Sequence, residues 1–379
     1  MALDGKPKFD LTKFDPVYFK RLRSRIEAAN EQGIYVMVML FHGFSIERKH
    51  SKRENPWPGH PFNSDNNINR INGDANGNGE GEELHTLKVS AITRLQEAYI
   101  QKVIDTVNDL GVLYEIANES HRESVEWQYH MIRFIHEYEK KKPIQNPVVM
   151  TAMWNGESDK GIDNAALFAS PAEAIAPGPG RNGEYLSDPP PADGRKIVIS
   201  DTDHLWGVGG SPDWAWKSFL RGLNPIFMDP IEDPKWDAVR KALGRTAAVA
   251  NRINLAKMFP KGALSSTGYC LADPGTEYLV YLPQDSNGVE AGLNSWIKSL
   301  PILWRFSGVS ERVTKFLKLS VEVDLSQASG PLDVTWFNPS SGDFNAGGKI
   351  AGGRKATFTA PFAGPAVLHL ASTTHQQLH

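Results

Sequence analysis

Cysteine is nearly absent: Cys270 stands alone in 379 residues, so no disulfide can form within the chain and the redox compartment leaves no mark on the sequence. An uninterrupted run of about 18 apolar residues is missing as well, which excludes a conventional membrane-spanning helix. The first residues, MALDGKPKFD, lack the basic-then-apolar order of a secretory signal. Neither sign of charge is in excess, with 41 Lys and Arg against 44 Asp and Glu and a pI near 6.4. Such a balance gives no general attraction to nucleic acid or to an anionic membrane. No GxSxG elbow, Walker loop or dinucleotide fingerprint occurs. His42, His60, His85 and His204 show no zinc-ligand spacing.

What is present is length and aromatic surface. A chain of 379 residues exceeds what one core usually organises, so two domains are expected. Ten Trp and ten Tyr suit cores and suit sugar rings equally, since their faces are flat and apolar and their edges polar.

Asp15 followed by Pro16 reads as a helix start, and apolar residues at helical spacing run on to Gly33. IYVMVMLF (34–41) is then a buried strand. A long Pro, Gly and Asn-rich stretch covers 45–87, Ser90 to Leu110 is helical, and VLYEIA from Val112 is a second strand. The alternation continues through a helix from Trp127, strands at PVVMTAMW, AEAIA and RKIVISD, and a helix end and strand in SFLRGLNPIFMDP. Strands apolar on both faces alternating with helices imply a parallel sheet covered by helices, best fitted by a (β/α) TIM-type barrel.

Beyond about residue 260 the texture changes. EYLVYL, LSVEVDLS, LDVTWFNP, KATFTA and AVLHL are short strands between Gly, Pro and Asn, the pattern of an all-β sandwich. The expected domains are 1–261 and 262–379, the second with an insertion at 284–318.

The barrel strands end in chemistry. His42 follows the first, Asn118 and Glu119 the second, Trp154 the third, Asp201, Asp203 and His204 the KIVIS strand, and Asp229 the last. In a parallel barrel these ends converge on one face. A Glu closing a buried run is costly unless solvated or paired, whereas Asp229 before Pro230 reads as a turn former. Two carboxyl groups beside aromatic walls equip a site for glycosidic hydrolysis: one protonated to donate to the leaving oxygen, the other ionised to attack carbon or activate water. Glu119 is the candidate acid and base, Asp201 the candidate second carboxylate with Asp203 close behind. His42, Asn118, Trp154, His204 and Trp206 are candidate substrate contacts. A structural role for Asp201 and Asp203, capping the following loop, stays open.

The Asn118-Glu119 pair resembles that of the clan A glycoside hydrolases, in which the glutamate is the acid/base and the asparagine contacts the neighbouring sugar hydroxyl. Together NPWPGHPFN, YEIANES, SDTDHLWG and FLRGLNPIFMDP are similar to a cellulase-like group of bacterial barrel proteins with a C-terminal domain named for collagen binding, and the similarity spans most of the chain. The resemblance implies a plant or microbial poly- or oligosaccharide substrate and a secreted or periplasmic setting. The chain departs from the clan in two respects. The second catalytic residue there is usually a glutamate, and KIVISDTDH offers aspartates, whose shorter side chains bear on the retaining outcome. Residues 1–14 are also too few for two earlier strand-helix units, so six strands are expected in place of eight. Open edges would then favour a homodimer that covers them.

Two further readings remain. Asp74, Asn76 and Asn78 imitate the first half of a calcium loop, although position twelve is His85. If the missing strands dismantle the pocket, the chain is a non-catalytic carbohydrate- or matrix-binding protein.

Overall fold

The computed structural model describes residues 1–46, 55–154, 164–284 and 318–372. The insertion expected at 284–318 lies, but for its two end residues, outside the described residues.

Asp15 accepts a hydrogen bond from the Val17 N–H at 2.8 Å, and Pro16 opens α1 (Pro16–Asn30). A proline costs nothing there because the first turn has spare N–H groups. The chain reverses at Gly33, φ +74, into β1 (Val36–His42). Helices and strands then alternate: α2 (Ser90–Val107), β2 (Val112–Asn118), α3 (Val125–Glu139), β3 (Val148–Thr151), α4 (Asn164–Ala169), β4 (Ala174–Ala176), α5 (Glu184–Ser187), β5 (Ile197–Asp201), α6 (Thr202–Leu205), α7 (Pro212–Leu220) and β6 (Asn224–Ile226). In α2 the buried residues Ile92, Ile100, Val103, Ile104 and Val107 recur at helical spacing. Among the described residues no helix is long and apolar enough to cross a membrane.

The six strands form one sheet in chain order, β1-β2-β3-β4-β5-β6. Val36 pairs with Val112 and His42 with Asn118; Glu115 pairs with Val149, Val149 with Ala174, and Ala174 with Ile197, all in parallel. This is an incomplete TIM-type barrel, six strands in place of eight, as the sequence implied. Its inner face is lined by Met37, Leu113, Val149, Ala174, Ala176 and Ile199.

The long stretch before α2 is ordered around side chains. Trp57 is 3% exposed and lies so close to Gly73 and Gly81 that a Cβ on either would fall 2.7 or 2.1 Å from its ring. Asn66 and Asn67 are buried, their amides donating to the carbonyls of Pro58, His60, Pro61, Asn63 and Ile71. The N-terminal segment joins this loop: the Phe9 N–H donates to Asn66 O, and the Ile68 N–H to Phe9 O.

After α8 (Asp237–Ala250) the remaining strands are β7 (Phe259–Pro260), β8 (Cys270–Asp273), β9 (Glu277–Leu282), β10 (Ser320–Asp324), β11 (Pro331–Phe337), β12 (Phe344–Ala351), β13 (Lys355–Thr359) and β14 (Ala366–Ser372). They form an antiparallel sheet β12-β11-β14-β9-β8-β7 and a two-stranded pair β10-β13. Tyr278, Val280, Val321, Val323, Trp336 and Leu368 fill the core of this region. On the other face of the larger sheet, Leu279, Tyr281 and Val367 pack with Trp216, Phe219 and Leu220 of α7 and Val249 of α8. Burial on both faces explains why EYLVYL is apolar throughout instead of alternating.

Two compact units result: Met1–Tyr185 with Lys196–Gly207, and Leu186–Arg195 with Val208–His379. The change of texture near residue 261 marks where the antiparallel strands begin, and packing groups α7 and α8 with them.

Candidate active site

The first unit holds every candidate residue at the C-terminal ends of its parallel strands. Register sets His42 of β1 beside Asn118 of β2. Glu119 follows at φ +49, a left-handed conformation that a non-glycine residue adopts only under constraint. The constraint is visible: a Cβ on Gly43 would stand 2.4 Å from Glu119 O and 2.6 Å from Ser120 Cα, so the chain after β1 is pressed directly against this turn. On the far side the Trp154 N–H donates to Ser120 O at 2.8 Å. Beneath it, His85 Nδ1 lies 2.7 Å from Ser120 Oγ, and the His85 ring stacks on Trp127 at 4.3 Å. Glu119 is therefore 9% exposed and fixed on three sides.

Above the strand ends stands a row of rings. His42 and Phe44 are 6.0 Å apart, and Phe44 and Trp154 are 5.8 Å apart, centroid to centroid. His42 is exposed and the other two half-buried.

Asp201 closes β5 and caps α6, its Oδ1 accepting from the Asp203 N–H at 2.9 Å. Its Oδ2 lies 3.7 Å from Nε2 of His204, whose side chain is 3% exposed. Burial raises the Asp201 carboxyl above its ordinary value, and His204 opposes the rise. Asp203 is half-buried, and Trp206, 37% exposed, follows at the end of α6. The structure thus places His42, Asn118, Glu119, Trp154 and Asp201 at or just after strand ends of one sheet, with Asp203, His204 and Trp206 in and after the short helix that follows β5. Asp229 belongs to the other unit, where it accepts from the Ile231 N–H and pairs with Arg240 at 2.6 Å, the structural role its Asp-Pro context suggested.

Asp74, Asn76 and Asn78 serve their own loop. The Asp74 oxygens accept from the N–H groups of Gly77, Asn78 and Gly79, and the amides of Asn76 and Asn78 both donate to Glu82 Oε1. Among the described residues no group of three or more His, Cys, Asp or Glu is placed to hold a metal.

Sequence reading missed three contributors. Phe44 joins the ring row and His85 braces Ser120, both through packing between segments distant in sequence. Glu115, inside the apolar VLYEIAN run, is 2% exposed and held up to about 8, by burial first and then by the charge of Asp201. Its signal was legible, since an ionisable residue in mid-strand of a two-sided apolar run is costly.

No protein-family model and no curated protein sequence matches the chain. Among solved structures it is similar to a glycoside hydrolase family 5 protein from Bacteroides vulgatus ATCC 8482, with a TM-score of 0.53 and 13% identity over 96% of this chain and 76% of that one. The chain shares the fold of a glycoside hydrolase. A further glycoside hydrolase gives 0.49 and 9% identity, over 94% of this chain and 89% of that one. A family GH30 endoxylanase from Clostridium papyrosolvens C71 gives 0.45 and 11%, over 96% and 86%.

Proposed function

We propose that the chain is a glycoside hydrolase acting on a plant or microbial poly- or oligosaccharide, with Glu119 as acid/base and Asp201 as the second carboxylate. The observation that carries the reading is the placement of Glu119 in a constrained left-handed turn at the end of β2, on the sheet whose β5 ends in Asp201. Glu119 donates its proton to the glycosidic oxygen as the bond to the anomeric carbon breaks. The Asp201 carboxylate either attacks that carbon or takes a proton from the water that does. The His42, Phe44 and Trp154 rings stack on sugar faces, and Asn118 and His204 hydrogen-bond hydroxyl groups, as the resemblance implies for the asparagine. Asp203 is the alternative second carboxylate.

One observation favours a second reading, a non-catalytic carbohydrate-binding protein: Asp201 already spends Oδ1 on capping α6. A panel of soluble glycans assayed for released reducing ends separates the two. Release by the purified protein, lost in Glu119→Gln, supports the hydrolase; binding to a glycan without release supports the alternative.

A further inference from the structure

Glu115 lies in the middle of β2. Leu113, Val149, Ala174, Ala176 and Ile199 form the inner apolar layer, and the two-residue period of a strand puts Glu115, Thr151 and Asp201 on that same face, one step nearer the strand ends. Between β3 and β5 the inner residues of β4 are alanines, so β4 supplies no bulk to separate the Glu115 and Asp201 carboxyls. The neighbours of Glu115 in register, Met39 of β1 and Val149 of β3, are uncharged; the charged groups that face it are Asp201 and Asp203.

The hydrogen bonding points the same way. Glu115 Oε1 is buried with no hydrogen-bond partner, and an ionised carboxylate so placed loses its hydration with no cation to replace it. The Thr151 hydroxyl, whose influence would favour the ionised form, is outweighed by burial and by the charge of Asp201. Thr151 has one proton, and that proton is donated to Ala117 O at 2.9 Å. Thr151 therefore has no second proton to give Glu115, and the carboxyl is left to hold its own.

We propose that Glu115 is a positioning residue of the candidate site: a carboxylic acid that keeps its proton at neutral pH and so leaves Asp201 as the ionised member of the pair until alkaline pH ionises both. The consequence for rate rests on the hydrolase reading; the protonation does not. The stabilisation linked to Glu115 is complete below its ordinary value of 4.5 and is lost as pH rises from there through about 8, since the folded state holds the proton more tightly than the unfolded chain. Above that range two like charges share the inner layer, and the Asp201 carboxylate is repelled from its working position.

The test uses the full chain labelled with ¹³C at glutamate Cδ and titrated by NMR, with Glu115→Gln to assign the resonance. A resonance absent from the variant and titrating near pH 8 supports the proposal; titration in the ordinary carboxylate range overturns it. If Glu115→Gln does not fold, Asp201→Asn carries the test, because removing that charge lowers the most alkaline glutamate titration, and an unmoved titration overturns the pairing. On any glycan that the parent hydrolyses, Glu115→Gln moves the alkaline limb of the kcat/KM profile upward; an unchanged limb refutes the positioning role. Inactivity of the parent on every glycan would strike the hydrolase reading, while the NMR titration decides Glu115 whatever the rate.

Discussion

Left-handed backbone at Glu119 costs about 1–2 kcal/mol for an L-residue other than glycine, and the turn keeps that cost because Gly43 packs against it and the Trp154 N–H holds Ser120 O. Strain of this kind persists where position matters more than stability. Glu119→Gln keeps the shape and hydrogen-bonding capacity but removes the acidic proton, so hydrolysis should fall about 10²-fold or more while the urea midpoint stays near that of the parent. Full activity in this variant would remove Glu119 from the mechanism. Asp201→Asn and Asp203→Asn belong in the same assay. The first should be the more damaging, and a much larger loss from Asp203→Asn would transfer the role to the neighbour. Asp201 also caps α6, and asparagine caps a helix as well as aspartate does, so Asp201→Asn should keep near-parent stability in urea titration and its loss of rate reports on the chemistry.

At the scale of elements, the site depends on where chain segments touch. Adding a methyl at Gly43 drives it into Glu119 O, so Gly43→Ala should destabilise the first unit by about 1–3 kcal/mol and lower activity although no reacting group has changed. A variant with parent stability and parent rate would show that the turn relaxes without consequence. The sequence made several of these elements readable for local reasons. Asp15-Pro16 and the glycine after it bound α1, and the uninterrupted apolar runs of β1 and β2 stop at the polar residues that carry the chemistry. Phe44 was not readable, because it reaches the site through a turn that exists only once Gly43 meets the end of β2. His85 was hidden in a stretch rich in turn formers, whose order comes from Trp57 between two glycines and from buried Asn66 and Asn67. Glu115 was legible as a costly carboxyl in mid-strand, but an apolar run reports that a strand is buried and not that its inner face has room for a carboxyl group; that room comes from the alanines of β4. The continuation of α7 and α8 into the antiparallel unit was likewise a matter of packing, decided by Trp216, Phe219 and Val249 against β9 and β14.

For the molecule as a whole, an open parallel sheet leaves two edges where a closed barrel has none. Among the described residues β1 pairs with β2 alone in the sheet order, and the N-terminal segment hydrogen-bonds the loop at Asn66–Ile68. Along and just before this strand Ile34 is 56%, Tyr35 75% and Met39 43% exposed. A second copy of the chain pairing edge to edge would cover these apolar side chains. The expected outcome is a concentration-dependent dimer in light scattering across a dilution series. Met39→Lys places a charge on the strand, which disfavours edge pairing, and should return the protein to monomer without loss of secondary structure by circular dichroism. A parent that is monomeric at every concentration would sink self-association through β1, and a dimer indifferent to Met39→Lys would place its interface elsewhere on the molecule.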